Sequence, residues 1–259
     1  MDLKLENKVF VLTGGSRGIG RSILKSLISE GALVTFCGRD TERVQETIVS
    51  LGGLGSIEGV VCDVLESGFS EKLISRTIDR FGGIDGIVAN VGLGRGTDVP
   101  SEYSWSDWQY SIDINVKHPL DLVMASAPHL ESSENGSVVF VSSISGRYFG
   151  PGLQYSSSKS MMTYVAQALG RSLASRGIRV NSVSPGSIDI DGGHWNNMKN
   201  EKPEKFHSFL QESFPGGRLG EPEEIADIVT FLLSNRASLI NGADIAADGG
   251  QLRPTNRKF

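Results

Sequence analysis

Tyr155 and Lys159 stand four residues apart and share one face of any helix that carries them. A free tyrosine, with a pKa of about 10, is a poor base near neutrality. A nearby ammonium group favours the phenolate and lowers that value. A phenol tuned in this way can protonate a developing alkoxide or take the proton of an alcohol. The spacing alone carries little weight, because in 259 residues with 5 tyrosines and 10 lysines chance supplies about 0.2 such pairs. The surroundings add to it. Ser142 and Ser143 end an apolar run shortly before Gly146, where a hydroxyl can donate to a substrate oxygen as negative charge builds. Near the N-terminus, Thr13-Gly14-Gly15-Ser16-Arg17-Gly18-Ile19-Gly20 offers backbone amides at close range to a pyrophosphate. A helix starting there adds unpaired N–H donors and a partial positive charge.

These groups need a scaffold that brings them together. Val9–Thr13 reads as a strand, and Ile19, Ile23, Leu24, Leu27 and Ile28 then recur at helical spacing until Gly31. Leu33–Cys37 is a second strand, followed by a helix over about 40–51, and Val60–Cys62 ends a third. A helix over about 69–81 keeps its period through Leu73, Ile74, Thr77 and Ile78, and Ile84–Ala89 is a fourth strand. Two helical stretches fill about 104–131, Ser137–Ser142 is a fifth strand, and a long helix covers about 154–175. Ile178–Val183 is a sixth strand, a helix over about 222–234 has Pro222 in its first turn, and Asp244–Ala247 is a seventh strand. Strands alternating with helices imply a parallel sheet covered on both faces, an α/β fold, and the continuously apolar strands agree. The least regular stretch, about 187–215, is expected to be a substrate lid.

Composition narrows the function. The net charge is −5 with 39% apolar and 21% charged residues, the balance of an ordinary globular protein. There is no basic face or run suited to nucleic acid; Arg257-Lys258 reads as a solvated tail. No apolar run reaches membrane-spanning length, and Met-Asp-Leu-Lys-Leu-Glu lacks the pattern of a signal peptide. The two cysteines, Cys37 and Cys62, lie in strand-like runs as reduced, buried thiols, which points to the cytoplasm. Four scattered histidines have no ligand spacing, so no metal is expected.

Taken in order, Thr13-Gly14-x-x-x-Gly18-x-Gly20, Asp63-Val64, Asn90-Val91-Gly92, Asn115, Ser142-Ser143, Tyr155-x-x-x-Lys159, Pro185-Gly186, Arg218-x-Gly220-x-Pro222-Glu223-Glu224 and Asp248-Gly249-Gly250 resemble the classical short-chain dehydrogenase/reductase family over nearly the whole chain. The resemblance implies one doubly wound Rossmann-fold domain over residues 1–259 with a mostly seven-stranded parallel sheet. It implies hydride transfer between a nicotinamide cofactor and a carbonyl or secondary alcohol, with Tyr155 as acid/base and the oxidised, cationic nicotinamide also favouring its phenolate. The catalytic set would be Asn115, Ser143, Tyr155 and Lys159. Ser143 is chosen over Ser142 because the family's serine stands three residues before a glycine, here Gly146, which makes the loop to Tyr155 about one residue shorter than is common. Asn115 would help position a water linked to the lysine. The cofactor would be held by Gly14, Ser16, Arg17, Gly18, Ile19, Gly20, Arg39, Asp63, Val64, Asn90, Gly92, Tyr155, Lys159, Pro185, Gly186 and Ile188.

The second strand ends Phe36-Cys37-Gly38-Arg39, without the acidic residue that would hold the ribose hydroxyls of NAD. Arg17 and Arg39 suit a 2′-phosphate, so NADP is the expected cofactor; Asp40 facing the ribose is the route by which NAD would bind instead. Two positions depart from the family pattern. Ile190 stands where a threonine often contacts the nicotinamide carboxamide, at a cost on the order of 1 kcal/mol, and Val91 replaces a common alanine. Tyr148, Phe149, His194 and Trp195 are candidate pocket residues, and Arg95 and Arg147 could meet an anionic or polar substrate. The apolar helices at about 104–131 and 154–175 imply a homotetramer by resemblance. A non-catalytic NADP-binding regulator or scaffold is the alternative, against which the intact catalytic set argues. The extended epimerase and dehydratase relatives carry a larger C-terminal substrate domain than this chain has room for.

Overall fold

The computed structural model describes residues 1–52, 56–95, 97, 99–148 and 152–251; Phe149 and the Arg257-Lys258 pair lie outside them. Runs of β-branched and aromatic residues build seven strands: β1 (Val9–Thr13), β2 (Leu33–Gly38), β3 (Ile57–Val61), β4 (Gly86–Ala89), β5 (Ser137–Val141), β6 (Arg179–Pro185) and β7 (Asp244–Ala247). They form one sheet in the order β3-β2-β1-β4-β5-β6-β7, and every neighbouring pair is parallel. The order reverses between β1 and β4, which opens a crevice at their C-terminal ends.

Alternate residues along each strand feed two separate cores. Phe10, Leu12, Val34, Phe36, Val139 and Val183 pack under α1 (Gly18–Ser29), α2 (Thr41–Leu51) and α9 (Pro222–Leu233). Val11, Cys37, Ile87, Val138, Phe140 and Val180 pack under α3 (Phe69–Phe81), α5 (His118–Ser132) and α6 (Leu153–Leu173). Cys37 and Cys62 are both free thiols in this second core. No helix among the described residues is long and apolar enough to cross a membrane.

Two segments differ from the sequence expectation. The stretch before α5 is α4 (Trp105–Ile112) followed by a π-helical segment, Asp113–Lys117. That wider turn is a feature that recurs at functional sites. The second difference is at 187–215, which is not irregular: it holds α7 (His194–Glu201) and α8 (Pro203–Ser213). Neither helix has a fully buried residue, so the apolar stripe that marks a helix in sequence is faint. What holds them is aromatic contact: Trp195 stacks on Phe209 at 4.2 Å, and Phe209 meets Phe214 edge-on at 5.7 Å.

Candidate active site

The glycine turn joins β1 to α1 and is tied down from two sides. Gly14 N and Gly15 N both donate to Cys37 O at the end of β2, at 3.0 and 3.1 Å. From the end of β4, Asn90 Nδ2 donates to Thr13 O at 3.1 Å and Gly14 O at 3.2 Å. A Cβ at position 20 would sit 2.0 Å from Gly14 O, so only glycine lets α1 begin this close to the turn. Arg17, at the helix N-cap, provides no side-chain acceptor for the first-turn amides. A backbone cradle that a single Cβ would fill, facing an uncapped helix start, fits the diphosphate of a dinucleotide.

Arg17 and Arg39 are both exposed at the same end of β2: a Cβ at Gly38 would lie 2.9 Å from Ser16 Oγ, which places the turn directly over the strand end. Arg39 pairs with Asp63 at 3.5 Å, and Asp63 also accepts from Leu65 N at 3.0 Å. Asp40, the residue through which NAD was the alternative, instead caps α2 by accepting from Arg43 N at 3.1 Å. Val64 is buried and Ile19 half-buried beneath this region.

Asn115, Ser143, Tyr155 and Lys159 come together at the C-terminal end of β4 and β5. The wide π turn faces Asn115 towards α6, where its Nδ2 donates to Ser158 Oγ at 3.0 Å, Leu93 O at 2.7 Å and Ser111 O at 2.9 Å. Lys159 is fully buried and donates from Nζ to Val141 O at 2.9 Å. A side chain at Gly92 would meet Lys159 Nζ at 2.6 Å and Asn115 Oδ1 at 3.0 Å, so glycine there keeps the lysine and asparagine adjacent. The two serines divide their work. Ser142 Oγ is committed to Lys159 O at 3.1 Å and to Thr163 Oγ1 at 3.0 Å. Ser143 faces the Tyr155 phenol and accepts a local bond from Ser145 N at 3.1 Å.

The electrostatics differ from the sequence expectation that Lys159 would lower the phenol. Burial raises the Tyr155 pKa, with the Ser143 hydroxyl pulling the other way. Burial also holds Lys159 down to about 7. Lys159 Nζ lies 5.9 Å from the centre of the tyrosine ring and is turned towards Val141 O, so the ammonium does not touch the phenol oxygen in this arrangement.

Around the cluster, Pro185 ends β6 and Gly186 N donates to Ala247 O at 2.9 Å, which fixes the turn that leads to the buried Ile188. Ile190 faces the glycine turn: its side chain lies 3.2 Å from where a Cβ at Gly18 would be. Tyr148 and His194 are exposed, while Trp195 is half-buried against Phe209. Arg147 pairs with Asp244 on β7 at 2.6 Å. Arg95 stacks over the Tyr110 ring at 3.8 Å.

Sequence reasoning missed His118, which the structure places at the heart of the scaffold. Its Nδ1 lies 2.5 Å from Ile114 O and its Nε2 3.3 Å from Thr13 Oγ1, and Thr13 Oγ1 in turn accepts from Asn90 N and Val91 N. The carbonyl fixes the proton on Nδ1, so Nε2 accepts from the threonine. Burial pushes His118 down to about 3, keeping it neutral. A lone histidine one residue before a proline gave no sign of this role.

Comparison with known proteins bears on this geometry. A family model described as enoyl-(acyl carrier protein) reductase matches residues 14–251. Human dehydrogenase/reductase SDR family member 4 is 36% identical over 252 residues, covering 95% of this chain and 88% of that one. The 3-oxoacyl-[acyl-carrier-protein] reductase FabG of Thermotoga maritima is 31% identical over 250 residues, covering 96% and 99%. Among solved structures, L-sorbose reductase from Gluconobacter frateurii, complexed with NADPH and L-sorbose, superposes with a TM-score of 0.89 at 26% identity, covering 98% and 99%.

Proposed function

The chain belongs to the classical short-chain dehydrogenase/reductase family and is a hydride-transfer oxidoreductase acting on carbonyl or alcohol groups; on that premise we propose that it uses NADP, with Tyr155 as the proton-transfer residue. The observation that carries the reading is the convergence of Ser143, Tyr155, Lys159 and Asn115 at one end of the sheet, beside the glycine cradle.

NADP supplies the hydride or accepts it when bound. Gly14, Ser16, Gly18, Ile19 and Gly20 would hold its diphosphate, Arg17 and Arg39 its 2′-phosphate, and Asp63 and Val64 its adenine side. Asn90, Gly92, Pro185, Gly186 and Ile188 would line the rest of its path. The absence of an acid at Cys37 or Gly38 and the use of Asp40 as a helix cap both favour NADP over NAD. The NADPH in the L-sorbose reductase complex supports the same choice. Ser143 would donate to the substrate oxygen, and Tyr155 would give that oxygen its proton in reduction or remove it in oxidation. Lys159 and Asn115 would return the proton towards solvent. The pair α7–α8, within 187–215, would act as the substrate lid of a single domain spanning 1–259. We further propose a homotetramer in a reducing, cytoplasmic compartment.

The test is NADPH and NADH oxidation measured by absorbance over a panel of ketones and aldehydes. NADPH is expected to be the better cofactor, and Arg39→Ala to erase much of that preference. Tyr155→Phe is expected to lower turnover by about 10²–10⁴-fold while cofactor binding persists. Near wild-type turnover in that variant defeats the acid/base assignment, and equal use of both cofactors defeats the NADP assignment.

A further inference from the structure

The Asn115–Ser158 hydrogen bond joins two helical segments that run in the same direction. The α4–α5 stretch follows β4, α6 follows β5, these strands are parallel neighbours, and both helical segments return against them. Four residues earlier on each lie Ser111 and Gln154. One helical turn in parallel on both sides places these two side chains on the next rung, about 5.4 Å nearer the helix starts. Both are 0% exposed. Among the described residues, Ser111 Oγ, Gln154 Oε1 and Gln154 Nε2 are buried polar side-chain atoms without a hydrogen-bond partner. Leaving an amide and a hydroxyl unpaired in a core costs about 1–3 kcal/mol per group, so such groups call for a partner. Because α4 packs against α6, three such atoms at matching register would give a single buried water the partners it needs.

The rung lies beside the reacting end of the site. Gln154 is the residue before Tyr155 in the first turn of α6, and Gly94 packs against that tyrosine closely enough that a Cβ there would come within 2.6 Å of Tyr155 Cβ. Asn115 holds the same loop through Leu93 O and Leu93 N. We propose that Ser111 and Gln154 form a buried water site, and that through it they fix the first turn of α6, making them positioning residues for Tyr155. This rests on the reading of Tyr155 as the proton-transfer group. An apolar pair at this rung would pack the two helices without setting the rotation of α6 about its axis; a bridged polar pair sets it.

The experiment is a double-substitution cycle on the holoenzyme with Gln154→Met, Ser111→Ala and the double variant, with Ser111→Thr as the hydroxyl-retaining control. Each single substitution is expected to lower kcat by about tenfold with an unchanged KM for NADPH. The double variant should be no worse than either single one, because both remove the same bridge. Ser111→Thr should keep kcat near wild type, and a crystal structure of the wild type should show one water within hydrogen-bond distance of Ser111 Oγ and both Gln154 amide atoms. Wild-type kcat in Gln154→Met, with a raised Tm, would show an amide that is merely orphaned and overturn the proposal; so would additive losses in kcat or an empty rung in the crystal. Tyr155→Phe, measured alongside, separates this outcome from failure of the acid/base reading: if that variant stays active, the tyrosine assignment falls whatever the rung does.

Discussion

At the scale of single residues, the chain shows how two neighbouring serines acquire different fates. Ser142 is 5% exposed and spends its hydroxyl on the Lys159 carbonyl and on Thr163, which ties β5 to α6. Ser143, one residue on, meets the tyrosine nearer the start of the same helix. Their places just past the end of β5, rather than any difference in side chain, separate them: one hydroxyl is consumed by the scaffold and the other faces the phenol. Ser143→Ala is therefore expected to cost about 10²–10³-fold in kcat, as for loss of an oxyanion donor. Ser142→Ala should instead cost about 1–2 kcal/mol of stability, as for loss of a buried hydrogen-bonded hydroxyl. Steady-state kinetics and urea unfolding of both variants check this, and a reversed pattern would reassign the catalytic serine. The sequence left the two open, and only the family's spacing to Gly146 separated them.

At the scale of elements, much of the sheet was legible because its strands are continuous apolar runs. The expected strand at Asp244–Ala247 and the helix over 69–81 have the bounds that the structure gives them. The helices α7 and α8 were hard to read, because exposed helices carry only a faint stripe; their usable signals were Pro203 at a helix start and the Phe206, Phe209, Leu210 spacing. The π turn was not legible either, since Asn115 and His118 within and beside it are held by tertiary bonds to Ser158 and Thr13 that local propensity does not report. That turn carries a pH signature. An unfolded histidine takes a proton near pH 6.5, whereas folded His118 takes one only near 3. Below 6.5 the unfolded state therefore binds more protons, and stability must fall as pH drops. From pH 7 to pH 5 the loss from this group is about 2 kcal/mol. Urea midpoints at the two pH values should show it, and His118→Gln should be less stable at pH 7 but lack that component of the slope. A wild-type stability that does not change between pH 7 and 5 would rule out a neutral, buried His118 as the link between β1 and the π turn.

At the scale of the whole molecule, two surfaces call for partners. Trp105, Met124 and Tyr164 are 85%, 73% and 71% exposed on α4, α5 and α6, the helices that cover one side of the sheet. The 21-residue α6 extends this face over roughly 32 Å. Large apolar side chains gathered on adjacent helices mark an interaction surface. The second surface is β7, which among the described residues pairs only with β6 and presents Ile245, Ala246 and Ala247 beyond Asp244, whose charge is taken up by Arg147. At the other edge, β3, the ion-paired Glu58 is more exposed than Asp244 is on β7, and a charge there blunts the edge. A helix face and a sheet edge are different surfaces, and two different twofold contacts close into a tetramer. Light scattering is therefore expected to give four times the 27.8 kDa chain mass. Met124→Glu combined with Tyr164→Glu places charges on the helix face and leaves β7 untouched, so it should halve the mass without unfolding the chain, as circular dichroism would verify. A wild-type mass of one chain would remove both contacts at once, and a tetramer indifferent to the double substitution would remove the helix face from the assembly.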